Sequence, residues 1–211
     1  MATGTGRFVS SNYGAGTSST GVKLVCDVSQ SVNAQTRKAT ITVRAMMAFY
    51  RISGNWNVSN GTAIINNSGV TNIEAVIDGS GSGQVSNLTL VGNTSFLATA
   101  GNYYTQADGY VRSGSTGNSE VTKSMTFDFN AAGDPISKTW SATLNFRGTQ
   151  MYLSGTVTTD GITSLSHFYG SVSGQSKKIQ KLYGSVNSQT KLVKKLYASV
   201  NGQSKIIYEH N

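Results

Sequence analysis

Alternating apolar and polar residues recur along the first three quarters of the chain. In the stretch KATITVRAM, one face of the predicted strand carries Ala39, Ile41, Val43 and Ala45. The stretches VKLVCDV, KSMTFDFN, TWSATLNF and MYLSGTV alternate in the same way. Such alternation is typical of a half-buried β-strand, because successive side chains of a strand point to opposite faces. No stretch has the spacing of an amphipathic helix.

Turn signals separate these stretches and set the predicted architecture. Residues 71–77, 85–91 and 95–99 are predicted as shorter strands, and the GSGSG run at 79–83 as a flexible hairpin tip. The predicted turn pairs are Asn60-Gly61, Asp78-Gly79, Asp108-Gly109 and Asp160-Gly161. Many short strands with turns between them predict an all-β fold, an antiparallel β-sandwich of Ig-like or jelly-roll-like type over residues 1–163. Its expected core contains Leu24, Cys26, Ile41, Val43, Phe127, Phe129, Trp140, Leu144 and Phe146.

Composition agrees with a strand-rich protein made in a cytoplasm. Charged residues are 12% of the chain, against about 25% in an average soluble domain, and Ser, Thr, Asn and Gly supply polarity suited to strands and turns. No apolar run is long enough to span a membrane, and the first residues lack the pattern of a secretory signal. Cys26 has no partner for an intramolecular disulfide, and its place in VKLVCDV predicts a buried thiol.

Catalytic residue sets are missing from the sequence. The two histidines, His167 and His210, lie outside the predicted sandwich, which therefore has no Ser–His–Asp combination. Asp128 and Asp134 would make a poor glycosidase pair, because one alternates outward from its strand and the other lies in a turn. Clusters of metal ligands and phosphate-binding loops are also lacking. We therefore expect a protein that is not an enzyme and that uses no metal or cofactor.

Residues 164–211 contain three similar units. Tyr169, Tyr183 and Tyr197 stand fourteen residues apart, each followed by Gly or Ala, then Ser and Val. The triplets SGQ, NSQ and NGQ that follow suit tight turns, so the units predict a meander of β-hairpins. Both faces of this ribbon carry apolar residues. We expect it to pack against the sandwich or against copies of itself, because a small meander cannot bury two faces alone.

The repeats also hold most of the positive charge. From residue 164 onward there are seven lysines and one acid, or 7 − 1 = +6, which leaves 10 − 8 = +2 for the preceding residues. A basic appendage favours a polyanionic partner, such as wall teichoic acid, nucleic acid or an acidic protein; alternatively, the lysines protect exposed strand edges. The absence of RNA- or DNA-reading motifs makes nucleic acid the less favoured partner.

Seven residues of the repeats are the candidates for assembly or for binding of a partner or polyanion. The tyrosines predict either a cross-strand ladder inside an oligomer or a sugar-stacking platform edged by cations, and the ladder is the preferred interpretation. The candidates are Tyr169, Lys181, Tyr183, Lys191, Lys194, Lys195 and Tyr197.

Two parts of the chain resemble phage proteins. KKLYASVNGQSKIIY and KLYGSVNSQTKLVKKLY resemble the KKLYGSVNG-K-TK-I repeats that end many structural proteins of phages infecting Gram-positive bacteria. CDVSQSVNAQTRKATITVRAMM and MTFDFNAAGDPISKTWSATLNF are similar to the opening and closing parts of Ig-like modules in siphophage tail and baseplate proteins. Gly133-Asp134 reverses the aspartate–glycine turn of those modules, and Pro135 follows it. The resemblance covers residues 20–50, 120–147 and 166–208.

This resemblance implies a virion structural protein of the tail, the baseplate or a fibre, which mediates assembly, host-surface attachment or both. It implies synthesis in the host cytoplasm and a final location in the virion. The expected partners are copies of the same chain, with a trimer favoured, other virion proteins and an anionic polymer of the host wall, but no membrane. A head decoration or head-fibre protein is the alternative. A cell-wall carbohydrate-binding module is a more distant one, for which the aromatic candidates are Trp56, Tyr103, Tyr104 and Tyr110.

Overall fold

The computed structural model describes residues 2–65, 70–84, 89–113, 119–162, 168–172, 175–179, 183–186, 189–192, 195–200 and 203–209. The described residues contain no α-helix; a single turn of 3₁₀-helix spans Gln106–Asp108. The strands are β1 (Ala2–Thr3), β2 (Gly6–Val9), β3 (Gly14–Ala15), β4 (Thr20–Asn33), β5 (Lys38–Arg51), β6 (Trp56–Val58), β7 (Ala63–Ile65), β8 (Val70–Ile77), β9 (Ser80–Gln84), β10 (Thr89–Gly92), β11 (Phe96–Ala98), β12 (Tyr103–Tyr104), β13 (Tyr110–Ser113), β14 (Glu120–Asp128), β15 (Ser137–Phe146), β16 (Thr149–Thr158), β17 (Phe168–Val172), β18 (Gln175–Ile179), β19 (Tyr183–Val186), β20 (Gln189–Leu192), β21 (Lys195–Val200) and β22 (Gln203–Glu209).

The fold is all-β, antiparallel and sandwich-like, with curled sheets, as the alternation predicts. The chain divides into two compact units. The first contains residues 1–31, 39–127 and 136–159, and the second contains residues 32–38, 128–135 and 160–211. The domain boundary that we place after residue 163 stays a prediction.

Two large sheets form the body of the first unit. One has the strand order β1-β16-β15-β8-β9, in which β1 runs parallel to β16 and the other neighbours are antiparallel. The other has the order β12-β5-β4-β2, with β14 also paired to β5 and β3 to β4. Two smaller sheets, β13-β10-β7 and β11-β6, complete the described part of this unit. The central strand β15 pairs along its whole length with β16.

One hydrophobic cluster joins the inner faces of these sheets. Seven of the nine predicted core residues belong to it and are at most 3% exposed: Leu24, Cys26, Ile41, Val43, Trp140, Leu144 and Phe146. The prediction that Phe127 lies in the core is corrected, because this residue is only partly buried and packs against the cluster from β14. In the described residues β14 pairs with β5 alone, so its inward side chains are covered less completely than those of a central strand. Phe129 is buried, in the second unit.

Strand β5 departs from simple alternation at its C-terminal half. Residues 45–49 are buried on both faces, and Met46 and Ala48 form a second small cluster with Val25. Val9 and Tyr103 pack against this cluster. The uninterrupted apolar run AMMAF is the sequence signal for a strand covered on both sides.

Two tight turns set the register of the first large sheet. Asp78-Gly79 joins β8 to β9 as predicted, with φ of 49° and 79°. Arg147-Gly148 joins β15 to β16 with φ of 46° and 78°. Positive φ at both central positions is the geometry of a type I′ turn, which normally takes Asn or Gly at the first position. The second turn is absent from the sequence predictions because Arg is an unusual residue there.

The GSGSG run is not a flexible hairpin tip. Only Gly79 belongs to the turn, and the following residues form β9. A Cβ placed on Gly81 would lie 2.6 Å from Oε1 of Glu74, and one on Gly83 would lie 3.2 Å from Cβ of Glu74. The glycines therefore leave space for the Glu74 side chain on the neighbouring strand.

The other three turn pairs behave differently from the hairpin turns that we predict. Asp108-Gly109 ends the 3₁₀-helix, with Gly109 at a φ of 111°. Gly61 has a φ of 81° in a turn, but β6 and β7 pair with other strands rather than with each other. Asp160 and Gly161 are assigned to no turn over the described residues up to 162, and Ile162 donates its N–H to the carbonyl of Gly133. The predicted strand 85–91 is observed from residue 89, and residues 85–88 lie outside the described residues.

Candidate functional site

The described residues of the repeats form three two-stranded antiparallel hairpins. β17 pairs with β18, β19 with β20 and β21 with β22. Each candidate tyrosine lies on the first strand of its own hairpin: Tyr169 opposite Lys178, Tyr183 opposite Leu192 and Tyr197 opposite Ile206. Lys191 lies in β20 and Lys195 in β21; the predicted candidates Lys181 and Lys194 lie outside the described residues.

Strand pairing stays within each hairpin over the described residues. Within a single chain, the described strand pairings therefore do not place the three tyrosines in a row across one sheet. The described parts of these strands are four to seven residues long. A single two-stranded hairpin is marginally stable in water, so each repeat depends on further contacts for its stability.

Several cations of the first unit are paired with carboxylates. Arg7 forms a two-point ion pair with Asp27, whose oxygens lie 2.7 and 2.8 Å from its nitrogens, and this hydrogen bonding raises the pKa of Arg7. Lys138 lies 2.7 Å from a carboxylate oxygen of Asp78, and Arg44 pairs with Glu120. The repeats have seven lysines and a single acid in the sequence, Glu209. Their positive charge therefore exceeds what internal ion pairs can neutralise.

Most aromatic candidates of the sandwich are used for packing. The hydroxyl of Tyr104 accepts the N–H of Thr99 at 2.7 Å, and its ring packs 5.1 Å from the ring of Phe96. Tyr103 packs against the small second cluster on β5. Trp56 packs against the main cluster, with its ring centroid 6.2 Å from that of Phe49, and it also borders a cleft. Tyr110 lies on β13, where it pairs with Gly92 of β10.

The two carboxylates weighed as a catalytic pair have local partners, and the single thiol is buried. Asp128 pairs with Lys38 at 2.7 Å, and Asp134 accepts the side-chain amide of Asn130 at 2.8 Å. The buried thiol of Cys26 confirms the prediction, and burial raises its pKa to about 12. No group of three metal-ligating side chains occurs in the described part of the chain.

A cleft in the first unit combines two arginines with an aromatic ring. We call it the arginine cleft; its volume is about 550 Å³, and its main lining residues are Thr17, Thr20, Arg51, Trp56, Ile64 and Arg147. The end of β5 supplies Arg51, the β15–β16 turn supplies Arg147, and β6 and β7 supply the tryptophan and the isoleucine.

Backbone carbonyls hold both guanidinium groups at this cleft. Nε of Arg51 donates to the carbonyl of Gly54 at 2.9 Å, and its Nη1 donates to that of Ser19 at 3.2 Å. Nη1 of Arg147 donates to the carbonyl of Gly16 at 2.7 Å. The sequence predictions include Trp56 but neither arginine, because only the folded topology brings these separate segments together.

Comparisons with protein-family models, with curated proteins and with solved structures give no match for this chain. Within the described residues, no helix has the length and apolar character needed to cross a membrane.

Proposed function

We propose that this chain is a structural protein of a phage virion, located in the tail, the baseplate or a fibre, with no enzymatic activity and no cofactor. The observation that supports the proposal most is the run of three fourteen-residue repeats, each a separate hairpin. Their sequence resembles the terminal repeats of structural proteins from phages of Gram-positive bacteria. The protein is made in the host cytoplasm and ends in the virion.

The hairpins act in assembly. Each strand of a described hairpin pairs with one neighbour, which leaves backbone donors and acceptors along the outer edges. Identical repeats in other copies of the chain present matching edges, so association between copies supplies the missing contacts. We propose a homo-oligomer, with a trimer favoured, that also contacts other virion proteins.

The lysines of the repeats give the same region a second role in host attachment. A net charge of +6 on residues 164–211, from seven lysines and one acid, attracts an anionic polymer of the host wall. In the preferred arrangement the tyrosines form a ladder between copies, and the lysines remain available on the outside of the assembly.

Labelling of virions tests the location. A tag placed after residue 211 should bind antibody–gold at the tail tip, the baseplate or a fibre in electron micrographs, and the neighbouring genes should encode tail proteins. Gold on the head would assign the protein to head decoration or a head fibre instead. Particles that lack the chain altogether would contradict a virion role.

Wall binding separates attachment from assembly. The full-length chain and a Lys191/Lys194/Lys195→Gln variant are sedimented with purified host walls at increasing salt. A triple Lys38/Lys123/Lys138→Gln variant, with the same loss of charge elsewhere, is the control. Attachment through the repeats predicts binding that weakens as the Debye length falls to about 8 Å and that only the repeat variant loses. Binding that neither salt nor either variant weakens would leave assembly as the role of the repeats.

A further inference from the structure

We propose that the arginine cleft binds an anionic sugar, a hydroxylated ring or polyol that carries a phosphate or carboxylate group. In this assignment the guanidinium groups of Arg51 and Arg147 hold the anionic oxygens, and Trp56 with the apolar floor contacts the carbon skeleton. The proposal does not depend on the role of the repeats, because every residue involved lies in the first unit.

The charge of the cleft is the first reason. Four ion pairs occur among the described residues, and they use Arg7, Lys38, Arg44 and Lys138. The two cleft arginines instead contact backbone carbonyls in this part of the chain. A guanidinium has five N–H donors, and the bonds described use two from Arg51 and one from Arg147. The remaining donors are available to an anion, for which arginine offers paired hydrogen bonds.

The backbone at Arg147 is the second reason. Its φ of 46° lies in the left-handed region, which a residue with a long side chain adopts at a cost of about 1 kcal/mol. Asn, Asp or Gly would fit this turn position better. The cost is therefore accepted at a position whose side chain lines the cleft, although Arg37, outside the cleft, has a similar φ of 55°.

The walls of the cleft are the third reason, and they favour a sugar over a bare anion. Ile64 is 5% exposed and forms part of an apolar floor, and the half-buried Trp56 ring has the guanidinium carbon of Arg51 5.8 Å from its centroid. Thr17 and Thr20 also line the cleft; their hydroxyls lie 2.8 Å apart, and that of Thr17 accepts the N–H groups of Ser19 and Thr20. Aromatic, apolar and hydroxyl groups around a fixed charge recognise a ring with carbon–hydrogen faces, hydroxyls and one anionic group. A volume of about 550 Å³ accommodates such a ring.

Calorimetric titration of the full-length chain tests the assignment. The probes are glucose 1-phosphate and glucuronate, with glucose and inorganic phosphate as comparisons. We expect at least one anionic sugar to bind at least tenfold more tightly than either comparison, and the stronger of the two identifies phosphate or carboxylate as the preferred group. No heat with either anionic sugar would overturn the proposal, as would inorganic phosphate binding as tightly as the sugars.

Matched variants show whether binding occurs in the cleft. Arg147→Asn removes the charge while suiting the type I′ turn, so it should fold normally and weaken anionic-sugar binding at least tenfold. Arg51→Lys keeps the positive charge but loses the planar guanidinium that donates paired hydrogen bonds, and it should also weaken binding. Lys123→Gln removes one charge from β14, outside the cleft, and should bind like the unmodified chain. Unchanged binding by folded Arg147→Asn, or an equal loss in Lys123→Gln, would overturn the proposal.

Discussion

The sandwich and the hairpin repeats use β-strands in opposite ways. In the sandwich, β15 pairs with β16 on one side and β8 on the other, and its inward residues Trp140, Leu144 and Phe146 are buried. In the repeats, each described strand pairs with one partner inside its own hairpin. The first region therefore satisfies most of its backbone and apolar surface internally, whereas the second presents strand edges.

This difference separates a region with an extensive hydrophobic core from one for which we propose association between copies. Apolar burial supplies most of the favourable free energy of folding, and the sandwich concentrates it in one cluster that joins its sheets. Two-stranded ribbons bury too little surface to balance the entropy of ordering their chains. In the proposed assembly, the regularity of the repeats allows each copy to meet a similar partner.

The largest effect is expected from removal of the repeats. Truncation after Thr163 should reduce the mass measured by light scattering to that of one chain, from a value near three chains for the full-length protein. The truncated chain should keep a cooperative melting transition, because its core is complete without the repeats. A monomeric full-length chain at micromolar concentration would contradict the oligomer, and loss of folding on truncation would contradict the domain division.

Two leucine substitutions provide the next test, one in the core of the sandwich and one at an exposed site. Leu144→Ala should lower the free energy of unfolding by about 2–5 kcal/mol, because Leu144 is fully buried and its loss leaves a cavity. Leu97→Ala is the matched control at a site that is 53% exposed, and it should change stability by less than about 0.5 kcal/mol. Urea unfolding of both variants in the truncated chain gives the comparison. Similar losses in both would show that the core is misplaced.

Sequence patterns predicted the local structure well where one strand carries its own signal. The alternation around Leu144 and Phe146 identified a core strand, the Asp78-Gly79 pair identified a hairpin turn, and the turn triplets of the repeats predicted β-hairpins. Features made by distant segments were not predictable in this way. Arg51 and Arg147 lie far apart in the chain and meet at one cleft only through the sheet topology.

Tertiary context also overrode local signals in two places. The glycines of GSGSG indicate a flexible tip, but Gly81 and Gly83 belong to β9, where the Glu74 side chain occupies the space that a Cβ would need. The alternation of β14 predicted a buried Phe127, whereas its burial is partial because the strand has one described neighbour. The alternation identifies which residues share a face, but the neighbouring strands determine how fully that face is covered.

The buried thiol of Cys26 should make the sandwich sensitive to alkaline pH. Its pKa rises from about 8.5 in the unfolded chain to about 12 in the fold. Between these values the folded state keeps a proton that the unfolded state loses, so stability is complete below pH 8 and falls by about 1.4 kcal/mol per pH unit above pH 8.5. By pH 10 the loss should be about 2 kcal/mol.

A Cys26→Ala variant isolates this contribution. Chemical unfolding of the truncated chain and its variant at pH 8 and pH 10 should show a smaller loss of stability in the variant, whatever the other groups contribute. The same fall in both proteins would mean that the thiol is not the titrating group. The repeats contain no cysteine, so full-length assembly should not share this contribution.

Salt should produce the smallest effect, with opposite signs in the two regions. Ion pairs such as Arg7–Asp27 are partly exposed, with 43% and 33% of the side chains accessible, and are worth about 0.2–1 kcal/mol each. Raising the salt concentration from about 0.01 M to about 1 M shortens the Debye length from about 30 Å to about 3 Å, so the truncated sandwich should lose part of this stability. In the proposed oligomer, lysines of the repeats from different copies should repel one another, and screening should therefore strengthen the oligomer. Unfolding of the truncated chain across this range of salt measures the loss of sandwich stability, and Arg7→Gln should make that loss smaller. Dissociation of the full-length chain across the same range measures the effect on the oligomer. A common sign in both regions would contradict the difference in charge pairing on which the comparison rests.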